Sequence, residues 1–92
     1  MYQPKYTRQF NKDVKRLERS GSHDMGKLKG IIRKLINGEP LEPRHKDHKL
    51  TGNYEGYKDC HIEPDWLVVY KINTKDKSIT FARTGSHADI FE

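Results

Sequence analysis

The first half of the chain carries apolar residues at helical spacing, in two stretches. In the first, the remaining positions are mostly lysine, arginine and other polar residues, a distribution typical of an amphipathic helix. Thr7 is a suitable N-cap, and Ser20-Gly21-Ser22 ends the stretch. The apolar residues fall at i, i+4 and i+7 and are Phe10, Val14 and Leu17. We predict a first helix that buries this one stripe.

The second stretch has a wider apolar face. Asp24 is placed to cap it, Asn37-Gly38 to end it, and Pro40 prevents the helix from resuming. Its apolar residues are Met25, Leu28, Ile31, Ile32, Leu35 and Ile36. Because only a short turn separates the two stretches, we predict two antiparallel helices.

The pattern then changes from helical to alternating. Residues 39–49 contain two prolines and little apolar material, which indicates a surface loop. Residues 66–72 are nearly continuous in apolar and β-branched side chains, which indicates a central strand. The other predicted segments are an edge strand at 2–6, strands at 57–62 and 78–84, a polar turn at 73–77 and a short tail after residue 85.

This order of elements predicts the fold class. Helices followed by a run of strands indicate an α+β protein. The two N-terminal antiparallel helices are expected to pack on one face of a small, mainly antiparallel sheet, because their apolar stripes need a partner surface. The 92 residues are expected to form a single domain, 1–92. The opposite face of the sheet is expected to remain available for binding.

The distribution of charge adds an anionic partner to this picture. The net charge is +5 at pH 7 and the sequence pI is about 9.4. The excess is uneven, because residues 5–34 hold ten lysines or arginines against three acids. A solvated helix face is the ordinary explanation of such a stretch, and a phosphate backbone or an acidic partner protein are the functional ones.

Cysteine content and hydropathy bear on the cellular compartment. Cys60 is the single cysteine, so an intrachain disulfide is excluded, and its strand position indicates a small buried side chain. The N-terminus lacks the segments of a signal peptide, and no apolar run has the length of a membrane span. We expect a cytoplasmic protein with no membrane partner.

The candidate chemistry centres on the histidines. Of the five, His23 lies in the predicted turn between the helices and is given no role, and His45 is a loop residue. His61 lies within a predicted strand, His48 shortly precedes that strand, and His87 follows the last one. Because neighbouring strands are antiparallel, we expect these last three histidines to approach one another at one edge of the open face.

The alternation of side chains along a strand decides which residues accompany His61. Tyr57 and Asp59 fall on the same face as His61, whereas Cys60 and Ile62 point toward the helices. The histidine is therefore predicted to lie on the face that the helices leave open.

Histidines on an open sheet face suit the cleavage of RNA. The 2′-hydroxyl of RNA can attack the adjacent phosphorus if a base takes its proton and an acid protonates the leaving oxygen. Imidazole has both forms near neutral pH, and each proton transfer typically contributes ~10²–10⁴-fold. Arg83 is suited to hold a phosphate, and Trp66, Tyr57 and Phe91 are suited to stack on an unpaired base.

Structural explanations compete with each of these assignments. A strand histidine, a tryptophan such as Trp66, an arginine such as Arg83 and a Pro-Asp turn at Asp65 more often serve packing, ion pairing and turn formation. A zinc site built from the three histidines and Asp65 is disfavoured because the spacing lacks a compact pair of ligands. We expect no metal and no cofactor, and the residues alone predict a basic α+β domain directed at RNA.

Several segments carry a specific resemblance to a known family. They are KDHKL at residues 46–50, DCHIEPDW at 59–66 and RTGSH at 83–87, with Gly52, Gly56-Tyr57 and Tyr70-Lys71 between them. These segments resemble the YafQ-type toxins of the RelE/ParE superfamily of bacterial toxin–antitoxin systems. The resemblance extends over essentially the whole chain in length and element order, and HIEPDW and RTGSH are its most specific part.

The resemblance implies both a fold and an activity. The fold is RelE-like, and the activity is that of a ribosome-dependent endonuclease that cuts messenger RNA in the decoding site. A cognate antitoxin holds such a toxin inactive, and operator DNA is bound only by the toxin–antitoxin complex. The family's active-site pattern carries over onto His48, His61, Asp65, Trp66, His87 and Phe91, and Arg83 matches the run before the last histidine.

Two positions depart from the family's pattern. Lys58 stands where arginine is expected in close relatives, so that a phosphate contact there would lose its two-pronged hydrogen bonding. Tyr54 stands where tryptophan is expected, and it retains the ability to stack. Neither departure removes a catalytic group.

Our hypothesis is therefore a metal-independent RNA endonuclease toxin that uses His61 and His87 as acid and base. His48 and Asp65 would assist these two, and the basic helices would dock on ribosomal RNA. The residues expected to contact the substrate are Trp66, Arg83, Phe91, Tyr57 and Lys58. The alternatives are a non-catalytic nucleic-acid-binding module that acts with a partner, and a gyrase-directed ParE-like toxin, a group that lacks this histidine set.

Overall fold

The computed structural model describes residues 1–91 of the chain. A short edge strand and two helices come first, and four strands and a final short helix follow. The elements are β1 (Gln3–Tyr6), α1 (Arg8–Ser20), α2 (Met25–Asn37), β2 (His48–Lys49), β3 (Lys58–Glu63), β4 (Trp66–Asn73), β5 (Ser78–Gly85) and α3 (His87–Phe91), with 3₁₀ turns at Pro43–His45 and Gly52–Tyr54. The predicted order of elements is confirmed.

Both long helices begin at the predicted caps. The Thr7 hydroxyl accepts a hydrogen bond from the Phe10 amide at 3.0 Å, and Asp24 Oδ1 accepts one from the Gly26 amide at 2.9 Å. Each helix ends at a glycine in the left-handed region, with φ 69° at Gly21 and 71° at Gly38. Glycine adopts this conformation without the steric penalty that a Cβ introduces, so it stops a helix sharply.

The five strands form one sheet in the order β1-β5-β4-β3-β2. As predicted, β4 is the central strand. The pairs β2–β3, β3–β4 and β4–β5 are antiparallel, whereas β1 pairs with β5 in parallel. The prediction of a mainly antiparallel sheet is confirmed, and the parallel edge arises because α1 and α2 separate β1 from the rest of the sheet.

Both helices pack on one face of the sheet, as the apolar stripes predicted. The buried residues of this layer are Phe10, Leu17, Leu28, Ile31, Leu35, Cys60, Ile62, Trp66, Val68, Tyr70, Ile79 and Phe81. The opposite face carries a smaller buried cluster of Leu67, Val69, Ala82 and Ile90, with Leu50, Tyr54 and Tyr57 packed against it. The predicted C-terminal tail is helical in α3, and its Ile90 covers part of this second face.

The segment predicted as a surface loop is more ordered than its composition indicated. It contains the 3₁₀ turn Pro43–His45 and the short strand β2. Within it, His45 is buried, and its Nδ1 lies 2.7 Å from the carbonyl oxygen of His61. Within residues 1–91, no helix combines the length and the apolar character that crossing a membrane requires.

Candidate active site

Three histidines meet on the sheet face away from the long helices. His61 lies in β3, His48 comes from β2, and His87 is the first residue of α3. The ring centroids of His48 and His61 are 6.3 Å apart, and those of His61 and His87 are 5.5 Å apart. The predicted convergence is confirmed, and His61 occupies the middle of the row.

Asp65 fixes the orientation of His87. A single oxygen, Oδ1, accepts hydrogen bonds from the His87 amide at 3.0 Å and from its ring Nδ1 at 2.8 Å. These hydrogen bonds, the one from the amide first, lower the pKa of the Asp65 carboxyl. Because a carboxylate can only accept, Nδ1 carries the proton and Nε2 is left to exchange one with a substrate.

His48 lies between two oxygen atoms. Its Nδ1 is 2.6 Å from the carbonyl oxygen of Lys46, and its Nε2 is 3.1 Å from Oδ1 of Asp59. A carbonyl only accepts hydrogen bonds, so Nδ1 must be the donor there. The ring therefore directs Nε2 toward a carboxyl oxygen that no hydrogen bond satisfies within the described residues.

Asp59 is a functional candidate to which the sequence reasoning assigned no role. Its side chain is almost fully buried beneath the histidines. Burial raises the pKa of Asp59, and the nearby positive charge of His48, His61 and His87 opposes this rise only in part. The alternation that placed residue 59 beside His61 was the available signal, but an acid next to a histidine in a strand has no catalytic meaning by itself.

Arg83 lies at the edge of the same face but is engaged by protein groups. Its Nε donates to Asp13 Oδ2 at 2.8 Å, and its Nη2 donates to Asp13 Oδ1 at 3.3 Å and to the Asp89 carbonyl oxygen at 3.2 Å. Hydrogen bonding to Asp13 raises the pKa of Arg83 above its ordinary value. The side chain remains 18% exposed, so only a small part of the guanidinium can reach a phosphate.

An aromatic row continues the site beyond His87. Phe91 is 43% exposed, and its ring centroid lies 6.2 Å from that of His87 and 5.7 Å from that of Tyr54. The Tyr54 ring in turn meets the Tyr57 ring edge-on at 6.2 Å. Lys71 Nζ lies 5.5 Å from the centroid of Tyr57. Tyr57 lies on the His61 face as predicted, and Phe91 and Tyr54 lie beside it. The contact of Tyr57 and Phe91 with a substrate stays a prediction.

Trp66 does not lie where a stacking residue must lie. It is 1% exposed and packs in the layer beneath the long helices, where its Nε1 donates to the Thr84 hydroxyl at 3.0 Å. The ring of His23 contacts it edge-on, with centroids 4.7 Å apart. The prediction that Trp66 stacks on a base is therefore wrong for this structure, because the ring is buried on the helix side of the sheet.

Lys58 also lies on the other side of the sheet. It pairs in register with Tyr70, a residue of the helix-facing layer, and registered partners in a sheet share a face. Its Nζ donates to Asp47 Oδ2 at 2.8 Å. The predicted substrate contact by Lys58 is therefore contradicted, because Lys58 faces away from the histidines.

Within residues 1–91, no three or more histidine, cysteine or acidic side chains are close enough to share one metal ion. The chemistry that the site supports directly is proton transfer between two or three imidazoles beside an exposed aromatic row.

Comparisons of the sequence and the fold with known proteins place the chain among bacterial toxins of toxin–antitoxin systems. Residues 2–92 match a family described as the bacterial toxin of type II toxin–antitoxin systems, YafQ. The chain is 47% identical over 87 residues to the mRNA interferase toxin YafQ of Escherichia coli K12, which covers 94% of this chain and 91% of that protein. The chain therefore belongs to the YafQ toxin family.

Solved structures agree with this assignment. The crystal structure of the E. coli DinJ–YafQ complex matches with a TM-score of 0.87 and 44% identity, over 100% of both chains. The crystal structure of a metal-bound toxin from Helicobacter pylori matches with a TM-score of 0.91 and 33% identity, over 99% of this chain and 100% of that chain. The predicted RelE-like α+β fold is confirmed.

Proposed function

We propose that this protein is an mRNA interferase, an endoribonuclease toxin that cuts messenger RNA with imidazoles as acid and base and without a metal ion. Membership of the YafQ family supports the proposal, as does the similarity to a relative named an mRNA interferase. The observation that carries it is the pair His61 and His87, with ring centroids 5.5 Å apart on an open face and with Asp65 bound to the inner nitrogen of His87.

The proposed reaction uses this pair of imidazoles as acid and base. One imidazole takes the proton of the 2′-hydroxyl, whose oxygen attacks the adjacent phosphorus and displaces the 5′-oxygen. The other imidazole protonates that leaving oxygen, so that the products are a 2′,3′-cyclic phosphate and a 5′-hydroxyl. Asp65 accepts the hydrogen bond of Nδ1 and so holds Nε2 of His87 outward, in the manner of a carboxylate that orients a catalytic histidine.

The neighbouring groups supply charge and a base platform. His48 beside Asp59, and the exposed part of Arg83, would lie near the oxygens of a phosphate held between His61 and His87. Phe91, beside His87, is exposed enough to stack on the base next to the cut, as single-stranded RNA recognition commonly requires.

The basic side of the molecule would provide ribosome dependence. A groove of about 370 Å³ lies between α2 and the turn at Pro43–His45. Its cationic lining residues are Lys27, Arg33, Lys34 and Arg44. We propose that this surface docks on ribosomal RNA and so delivers the histidine face to messenger RNA, because cation-rich surfaces bind phosphate backbones without sequence preference.

The proposed biological partner is a cognate antitoxin. A solved relative is a DinJ–YafQ toxin–antitoxin complex, which supports a partner of this kind for this chain. We further propose that operator DNA is bound only by the toxin–antitoxin complex, and that the toxin acts in the cytoplasm, where its ribosomal substrate is found.

The test is expression of His87→Ala and His61→Ala without antitoxin, with message ends mapped after brief induction. Each variant should lose ~10²–10⁴-fold in cleavage rate, the contribution of one proton transfer. His23→Ala is the matched control, because this histidine lies on the opposite side of the sheet and should leave cleavage intact. Undiminished cleavage by His87→Ala would overturn the mechanism. Cleavage of naked message as fast as ribosome-bound message would overturn the proposed ribosome dependence.

A further inference from the structure

Asp13 is a buried acid that the proposed reaction does not use. It lies in α1 with no exposed surface, and its carboxylate is surrounded by donors. The donors are Gln9 Nε2 at 3.1 Å, Arg16 Nη1 at 3.1 Å, Arg83 Nε at 2.8 Å, Arg83 Nη2 at 3.3 Å and the Thr84 amide at 3.1 Å. A fully buried carboxylate with this many donors is a fixed anchor, because breaking it leaves an uncompensated charge.

Arg83 connects this anchor to the last helix. The same Nη2 that binds Asp13 donates to the carbonyl oxygen of Asp89 in α3 at 3.2 Å. Arg16 adds a second link, since its Nη2 lies 3.4 Å from Asp89 Oδ2. Two arginines bound to Asp13 therefore both reach one residue of α3.

Asp89 is also the residue that sets the start of α3. Its Oδ2 accepts from the Ser86 amide at 3.1 Å, and its own amide donates to the Ser86 hydroxyl at 3.1 Å. This reciprocal pair is a capping box, which fixes the first turn of a helix. His87 is the first residue of that turn, so the contacts run without a break from Asp13 to the catalytic histidine.

The short length of α3 makes these contacts decisive. A helix of five residues does not hold its own shape in water, because forming the first turn is unfavourable. Ile90 is its buried apolar residue, and it anchors the helix to the second face without fixing the rotation of His87. Asp65 holds the amide and ring of His87 from one side, and the polar contacts from Arg83 and Arg16 to Asp89 hold the helix itself from the other.

We propose that Asp13 is a positioning residue for RNA cleavage, which acts through Arg83 to hold α3 and thereby sets His87 and Phe91 against His61. The inference rests on the proposed function for its kinetic consequence, but the positional claim itself is structural. In this arrangement Arg83 mainly connects α1 to α3, through its hydrogen bonds to Asp13 and to the Asp89 carbonyl oxygen; we call this connection the brace. The competing role for Asp13 is a plain tie between α1 and β5 through the Thr84 amide.

The experiment is a double-mutant cycle on cleavage of ribosome-bound message, with Asp13→Asn, Arg83→Ala and the combination. Asp13→Asn should lower kcat per folded molecule by about 10²-fold with little change in KM, because misplacing a catalytic group by about 1 Å has that effect. The double variant should be no slower than Arg83→Ala alone, because both changes remove the same brace. Additive losses would show that Asp13 does not act through Arg83.

Stability is controlled separately. Ile79→Val in the core is the matched variant, since Ile79 pairs with Pro4 and Ile72 away from Arg83 and α3. It should lower the melting temperature, and its kcat should equal that of the wild type. If Asp13→Asn does not fold, Asp13→Glu serves in its place, because it keeps the charge and displaces the carboxylate by one methylene. A variant at residue 13 that lowers the melting temperature with kcat unchanged would overturn the proposal.

A spectroscopic readout separates this proposal from the proposed function. The NMR signals of the His87 ring should shift in Asp13→Asn, whereas those of His48, which is held by β2 and β3, should not. If the wild type fails to cleave message, the proposed function is wrong, and the His87 signals still decide the positional claim. Unchanged His87 signals would overturn that claim.

Discussion

The partly buried hydrogen bond from the His45 ring to the His61 carbonyl gives a prediction that tests how the centre of the site is held. The short strand β2 pairs only with residues 58 and 59 of β3. The next β3 carbonyl on that edge, the one of His61, therefore has no partner in β2. His45 takes this position, with Nδ1 2.7 Å from the carbonyl oxygen. Because a carbonyl only accepts, the ring must donate from Nδ1.

Replacing His45 by phenylalanine keeps a buried ring and removes the donor. The His61 carbonyl then lacks its partner in a position that water reaches poorly, and an unsatisfied buried acceptor typically costs about 1–3 kcal/mol. For a domain of this size a loss of about 2 kcal/mol lowers the urea midpoint by about 1–2 M. His45→Asn is the matched variant, because its side-chain amide can donate to the same oxygen while the ring volume is lost.

The measurement is urea unfolding followed by circular dichroism for the wild type and both variants. His45→Phe should unfold at lower urea with an unchanged slope, and the NMR signals of the His61 ring should shift in this variant more than in His45→Asn. The reasoning is refuted if His45→Phe unfolds at the wild-type midpoint, since the hydrogen bond would then add nothing to the stability of the fold.

Three further changes have clear expected outcomes. Burial raises the pKa of Asp59, so this group stabilises the fold below its ordinary pKa of 3.8 and loses that contribution as the pH rises through the folded-state pKa. Asp59→Asn should therefore gain stability relative to the wild type when the pH is raised from acid to neutral. An equal difference in unfolding free energy between the two proteins at all pH values would contradict this. Burial also raises the pKa of Cys60 to about 12, so a thiol reagent should label it only as fast as the chain unfolds, and rapid labelling of folded protein would disprove its burial. Trp66→Phe loses the hydrogen bond to the Thr84 hydroxyl and should lose about 1–3 kcal/mol in thermal unfolding, a loss that a surface-stacking tryptophan would not show.

Much of the fold could be predicted because its signals are local. Thr7 and Asp24 are caps that act within three residues, and Gly21 and Gly38 end helices through their own backbone conformation. The central position of β4 likewise followed from its own composition. The parallel pairing of β1 with β5 is a long-range event, and no residue of β1 encodes it.

The site was predictable where strand alternation applied and unpredictable where it did not. His61 is flanked by polar and apolar residues in alternation, which gave its face correctly. Trp66 opens a run of apolar residues, so the run could not show which face the tryptophan takes. Long side chains such as Arg83 and Lys58 can reach several neighbours, and only the fold decides that Asp13 and Asp47 are theirs.

The sequence does contain a signal for the unusual position of Asp13, although its meaning is clear only once the fold is known. It falls three residues after Phe10 and four before Leu17, within the apolar stripe of the first helix. An acid in such a stripe is either misplaced or paired, and its partner lies 70 residues further along the chain. Without the fold, nothing identifies that partner.

The pairing of β1 with β5 has a consequence for the protein during its own synthesis. Residues 3–6 can pair in the sheet only after residues 78–81 have been synthesised, and His87 and Phe91 follow those residues in the chain. A nascent chain therefore cannot bring His48, His61 and His87 together before residue 87 has been made. The face that carries the three histidines is therefore a late product of folding, because it needs β5 and the start of α3 in place.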